Sequence, residues 1–248
     1  DMPKDVAKIK LLVSAATDGK NEIPGFTSKT LEFTAGNGEV CDALECAVGD
    51  MKLLEKAVLT CTVPSLASEE QLGLISVSAE KIVFTLELLD FEKAKDTWNM
   101  TEEEKLAFGA ARKDVGTSLF KAGRWRMALE RYKKVALMLN YLDSIKDQDN
   151  KKAAIDLKKV AELNCAACNL KLKEFAEVRK TCDALLKEEP SNVKAIFRRA
   201  QANLGDKNFT DCMADLKKVI EIDPQNREAR TLLKEAQASQ REEDKKSK

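Results

Sequence analysis

The chain has no histidine among its 248 residues. That removes the imidazole base of Ser-His-Asp and Cys-His catalysis, and the ligand that most zinc sites use. Net charge is missing too, because 42 Lys and Arg are matched by 42 Asp and Glu. Without an overall positive field, the chain is not built to hold nucleic acid through its phosphates. No apolar run reaches 18 residues, so no segment reads as a membrane-spanning helix, and no signal-peptide pattern opens the sequence. The chain starts at Asp1 rather than Met, which leads us to expect a piece of a longer protein. Seven cysteines make an odd count. Cys165, Cys168, Cys182 and Cys212 fall on helix faces at small-residue positions, as buried reduced thiols do. Cys165 and Cys168 form a C-x-x-C, but inside a helix rather than at an exposed helix start, which favours packing over redox chemistry. No second C-x-x-C completes a zinc site. We therefore expect no catalytic set, no metal and no cofactor.

What the sequence does have is repetition. Lys159 to Pro190 and Val193 to Pro224 share one pattern at a spacing of 34 residues. Each has small alanines in its first half, a central aromatic (Phe175, Phe209), an apolar stripe, and an acidic residue before proline. A period of about 34 with two helices per unit marks a tetratricopeptide array, which stacks helix pairs into a peptide-holding groove. A third unit runs from Lys113 to Asn140, with Gly116 where Ala166 and Ala200 stand, and with Ala128 and Tyr132 at second-helix contacts. Trp125 and Tyr132 read as packing residues. The first offset is fifty residues. The extra stretch should lengthen two helices, with Asp-Gln-Asp-Asn at 147–150 as the loop between them. After Pro224 we expect a cap helix that frays into a charged tail.

Residues 1–92 have a different character. KIKLLVSAA, KTLEFTAG, EKAVLTCTV and EKIVFTLELLDF alternate as strands, separated by turn signals at TDGKNE and AGNGE. They predict an antiparallel sheet of four or five strands. One short helix lies between Glu39 and Val48, with Val40, Leu44 and Val48 facing the sheet. The whole reads as an α+β chain: 1–92 as a sheet domain, 93–110 as a linker and the start of the first repeat helix, 111–233 as three repeats, and 234–248 as the cap helix end and tail. Thr101 with Glu104 predicts a capped helix start, and Trp98 and Met100 a staple for the linker.

The last strand, Val83 to Leu89, and the segment GEVCDALECAVGDM resemble the FKBP-type prolyl isomerases. An FKBP domain followed by three tetratricopeptide repeats resembles the large immunophilins, with the linker most similar to the plant multidomain members, the Pasticcino type among them. That resemblance implies a proline pocket lined by aromatics, and here the pocket is degenerate. Leu44 replaces the floor tryptophan, EIPGF has no aspartate, and PSLASEEQLGLISVSAE has no aromatic. Phe84 alone remains. A dry aromatic cleft cannot form from these residues, so the domain is expected to be an inactive interaction or structural module.

The repeats resemble chaperone-binding tetratricopeptide domains, in which five polar positions clamp a peptide's carboxylates. The matching residues here are Lys113 and Thr117, then Asn164, then Lys194 and Arg198, with Thr where Asn is usual. A spacing of four puts each pair on one helix face, where cations and an amide can hold a terminal carboxylate and a neighbouring acidic side chain. The resemblance implies a co-chaperone adaptor that takes the acidic Met-Glu-Glu-Val-Asp end of the ninety-kilodalton heat-shock chaperone, or the similar end of the seventy-kilodalton one. It also implies a cytoplasmic protein, with the nucleus as a second location. The alternatives are an active isomerase and a scaffold for an unrelated partner. A calmodulin site is not supported, because no bulky apolar anchor follows Leu233.

Overall fold

A computed structural model of the protein describes residues 1–141 and 144–247. The chain divides into two compact units, Asp1–Met100 and Thr101–Lys248.

The first unit is a four-stranded antiparallel sheet with one helix. The strands are β1 (Lys8–Thr17), β2 (Lys29–Thr34), β3 (Lys56–Cys61) and β4 (Ile82–Glu92), in the order β2-β1-β4-β3. Alternation decides which face is buried: Ile9, Leu11 and Val13 of β1 and Phe84, Leu86 and Leu88 of β4 all point into the core. β1 pairs with β4 through two register shifts, after Lys10 and after Val13, which bring Ala16 opposite Phe84. The helix α1 (Asp42–Asp50) starts three residues later than the sequence pattern suggests. Glu39 is drawn off into the preceding turn, where its carboxylate accepts the Thr34 N–H at 2.6 Å. Ala43, Leu44 and Val48 form its buried face. A buried Glu69 fixes the start of α1 to the loop before β4, accepting the Cys41 N–H at 2.9 Å.

The second unit is helical. Three antiparallel pairs follow one another: α2 (Glu102–Lys121) with α3 (Trp125–Met138), α4 (Gln148–Lys171) with α5 (Phe175–Glu188), and α6 (Val193–Gly205) with α7 (Phe209–Ile222). A final helix, α8 (Arg227–Lys246), packs on α7. The first helix of each pair, and α8, has a side-chain cap. Thr101, Asp147, Asn192 and Asn226 each accept the N–H three residues on, at 3.1, 2.9, 3.0 and 2.9 Å. The second helices lack such caps. Each follows a tight turn with one residue in the left-handed region: Gly123 (φ +76°), Lys173 (+58°) and Lys207 (+60°). Small residues let the paired helices close. A Cβ on Gly116 would lie 2.9 Å from the Tyr132 ring, and Ala166 and Ala200 are fully buried. Arg199 ties α6 to its neighbours. It donates to both carboxylate oxygens of Asp215 on α7, at 2.9 and 2.7 Å, and to Asp183 on α5 at 2.8 Å.

Three details depart from the sequence reading. The 147–150 stretch is not a loop, since Asp147 caps α4 and 148–150 form its first turn. An Asp can serve a turn or a helix cap equally well, and here the cap wins. The extra residues go mainly into α4, which has 24 residues against 13 in α6. The terminal segment does not fray after Leu233. α8 stays helical to Lys246, supported by buried Ala236, a Gln240–Asp244 bond of 2.9 Å, and lysines in its last turn. Trp98 staples nothing closely, as its side chain is largely exposed.

Candidate functional site: the groove of the repeat unit

The first helices α2, α4 and α6 lie side by side, α2 against α4 and α4 against α6, and they carry the five clamp candidates. Arg198 is the best-fixed member. Its Nη1 donates to the Leu163 carbonyl at 2.6 Å, which fastens α6 to α4 at the residue before Asn164. Burial lowers its pKa from the ordinary value, with the Cys182 and Cys168 thiols and Tyr132 opposing that shift. An arginine remains charged under such a shift, so this is a desolvated cation with N–H donors to spare. Lys194 is exposed one turn before Arg198, and Asn164 is half-buried on the middle helix. Lys113 on α2 is half-buried and sits 3.5 Å from Asp114, an exposed partner it can leave at little cost.

Thr117 behaves differently from the other four. Its hydroxyl donates to the Lys113 carbonyl at 3.2 Å and lies 3.0 Å from the Tyr132 hydroxyl. A hydroxyl has one proton, and this one is engaged within the helix pair. These contacts tie the Thr117 side chain to its own helix and to α3.

Beside Arg198 a cleft of about 400 Å³ opens between α2, α4, α5 and α6, lined by Phe120, Leu170, Lys171, Phe175 and Gln201 together with Ala167. Sequence reasoning missed these residues as a site. The signal was available: Phe120, Ala167 and Gln201 each lie three residues after a clamp position, one turn further along the same face. Lys171 also stands 5.7 Å over the Trp125 ring. The C-x-x-C thiols lie in this region as packing groups. Cys165 and Cys168 are buried, and burial pushes both up to about 12, far from a reactive thiolate. Among the described residues no cluster could hold a metal ion, and no helix is long and apolar enough to cross a membrane.

The chain is 34% identical over 229 residues to the human peptidyl-prolyl cis-trans isomerase FKBP4, an alignment covering 90% of this chain and 49% of that one. It belongs to the FKBP-type immunophilins that carry a tetratricopeptide domain. Pasticcino1, a peptidyl-prolyl cis-trans isomerase of Arabidopsis thaliana, is 30% identical over 194 residues, covering 78% of this chain and 30% of its own. The fold of the repeat unit is shared with the C-terminal tetratricopeptide domain of an FK506-binding protein from Plasmodium falciparum. That match has 24% identity and a TM-score of 0.51 over 60% of this chain and 99% of that one. No family model matches. The immunophilin chain described here spans about half the length of the FKBP4 relatives it matches.

In this immunophilin the two residues that the FKBP resemblance assigns to the proline pocket, Leu44 and Phe84, are core residues. Leu44 and Phe84 have no accessible surface, and they join one core with Leu72, Leu74 and Ile82. The segment 64–72, which contributes no aromatic, folds as two short 3-10 turns, Pro64–Ala67 and Glu70–Leu72, whose Ala67 and Leu72 are buried in the same core.

Proposed function

We propose that this protein is a co-chaperone adaptor whose repeat groove holds the acidic C-terminal peptide of a heat-shock chaperone, the ninety-kilodalton one first and the seventy-kilodalton one second. The observation that carries the reading is the placement of Arg198. It is a partly desolvated guanidinium fastened to the carbonyl just before Asn164, one turn from exposed Lys194, and it lines a cleft of mixed apolar and polar residues. A terminal carboxylate brought there meets charge-assisted donors in a setting of reduced screening. The apolar wall of Phe120, Leu170 and Phe175 suits the non-acidic side chains of such a tail. Lys113 contributes a third cation. Thr117 supports the helix pair rather than the peptide.

The FKBP-like unit serves in this proposal as an interaction or structural module without isomerase activity. What supports this reading is that Leu44 stands where the resemblance expects a floor tryptophan, and that Leu44 and Phe84 are both buried in the core. A cytoplasmic setting, with the nucleus second, belongs to the same proposal. Its support is the seven unpaired cysteines, of which five are buried thiols.

The test is calorimetric titration of the protein with Met-Glu-Glu-Val-Asp, with its terminus free and amidated. Binding of the free peptide should weaken as salt rises, and the amidated form should bind at least ten-fold more weakly, as expected for loss of about 1.5–3 kcal/mol. Equal binding of the two forms would mean that the groove serves some other partner. A protease-coupled proline isomerisation assay on the same sample should give the uncatalysed rate. Turnover above that rate would restore the enzyme reading.

A further inference from the structure

Two clefts of the repeat unit are one architecture translated by one repeat. Adding the repeat length of 34 to Ala167, Leu170, Lys171, Phe175, Arg198 and Gln201 of the first cleft gives Gln201, Leu204, Gly205, Phe209, Leu232 and Glu235. All six of those line the second cleft, of about 610 Å³, between α6, the start of α7, and α8. α8 therefore stands where the first helix of a fourth repeat would stand. Its Asn226 cap matches the Asn192 cap of α6, each holding the N–H three residues on.

The translation keeps the lining positions and reverses the net charge, from Lys171 and Arg198 in the first cleft to three glutamates against two lysines in the second. Leu232 replaces the guanidinium of Arg198, and Glu235 replaces the neutral Gln201. The row continues along α8 through Ser239 to Glu242, at a helical spacing of four then three. Two cations reach the rim. Lys207 is paired with Glu243 at 3.8 Å, and Lys246 closes the far end. The result is a floor of Leu204, Phe209 and Leu232 beneath the exposed carboxylates of Glu235 and Glu242.

We propose that this second cleft is a subsite for a lysine or arginine side chain of the same bound peptide, placed N-terminal to its acidic end. The inference rests on the clamp reading above. A basic side chain has the two parts the cleft offers places for: a methylene stem for the apolar floor and a cationic head for the carboxylates. The two clefts share Gln201, so a chain leaving the first enters the second. Neighbouring helices lie about 10 Å apart and an extended chain covers about 3.3 Å per residue. With the tail's Met against the apolar wall of the first cleft, the basic residue should therefore fall roughly three positions upstream of that Met. The groove then reads charge order, acidic at the peptide's end and basic before it, and discriminates among tails with the same last residues.

The experiment uses peptides ending in Met-Glu-Glu-Val-Asp and extended at their N-terminus by four Gly or Ser residues. One of those four is replaced in turn by Lys, Ala or Glu, and each peptide is titrated against the whole protein. One register should favour Lys over Ala by about three- to five-fold, the scale of a solvent-accessible ion pair, and disfavour Glu. The double variant Glu235→Gln, Glu242→Gln should bind the Ala peptide as the parent does and lose the Lys preference. Absence of a preferred register, or a preference that survives in the double variant, would overturn the subsite and leave the clamp standing. If the Ala peptides fail to bind at all, the clamp reading falls and takes the subsite with it.

Discussion

The positions that the family resemblances single out have opposite fates in the two units. In the sheet unit, the residues that the FKBP resemblance assigns to the pocket, Leu44 and Phe84, are fully buried and packed as core. In the repeat unit, the groove keeps Lys194 exposed and Arg198 only partly covered, next to an open cleft. The difference follows from what each site is made of. An aromatic pocket is apolar, so once its floor residue shrinks and its walls lose their rings, the neighbouring apolar side chains close over it with a gain in burial. A clamp is made of charges, which resist burial without partners and so stay at the surface whether or not a peptide is present. A degenerate apolar site vanishes into the core, whereas a charged site persists as a pattern.

The contrast predicts where each substitution acts. Phe84→Ala should cost about 3–5 kcal/mol of the sheet unit's stability, the usual range for truncating a buried aromatic. Chemical unfolding followed by circular dichroism would read this, and affinity for the acidic pentapeptide should be unchanged. If Phe84→Ala instead weakens peptide binding at full stability, the sheet unit contributes to recognition and the contrast fails. Arg198→Ala should do the reverse. It removes a charge-assisted contact worth about 1.5–3 kcal/mol, a loss of about ten- to a hundred-fold in affinity. Arg198→Lys should recover only part of that loss, because lysine cannot hold both the Leu163 carbonyl and a carboxylate in a planar fork. Undiminished binding by Arg198→Ala would remove the centre of the proposed site.

Much of this was legible in the residues. The 34-residue period placed α4 to α7, because stacked helix pairs must present the same small and apolar positions in every repeat. Period-two alternation identified all four strands. The ends of elements were less legible. Glu39 and Asp147 can each serve a turn or a helix start, and only tertiary contacts decide between them: Glu39 is taken by the Thr34 N–H, and Asp147 by the first turn of α4. The clefts were not seen either. A row such as Asn164, Ala167, Lys171 looks like any solvated face until the adjacent helices show which residues stand opposite. The engagement of Thr117 was hidden for the same reason, since its partner Tyr132 lies on the next helix and reads in sequence as packing alone.

Thr117 gives the smallest and most pointed test of the contrast. If charged positions persist because they face solvent and serve a peptide, a groove residue whose polar atom is turned inward should behave like core. Thr117→Val keeps the shape and removes the hydroxyl, leaving the Tyr132 hydroxyl without its partner at 3.0 Å. The expected loss of stability is about 1 kcal/mol, the net value of a typical internal hydrogen bond. Peptide affinity should stay within about two-fold of the parent, less than 0.5 kcal/mol. A matched pair of measurements decides it: denaturant unfolding of the repeat unit's helical signal, and titration with the free-terminus pentapeptide. A ten-fold drop in affinity with stability intact would place the Thr117 hydroxyl on the peptide and make the clamp a five-residue device. The expected result, lost stability with affinity kept, leaves Lys113, Asn164, Lys194 and Arg198 as the residues that hold the carboxylates, with Thr117 and Tyr132 bracing the helix that carries Lys113.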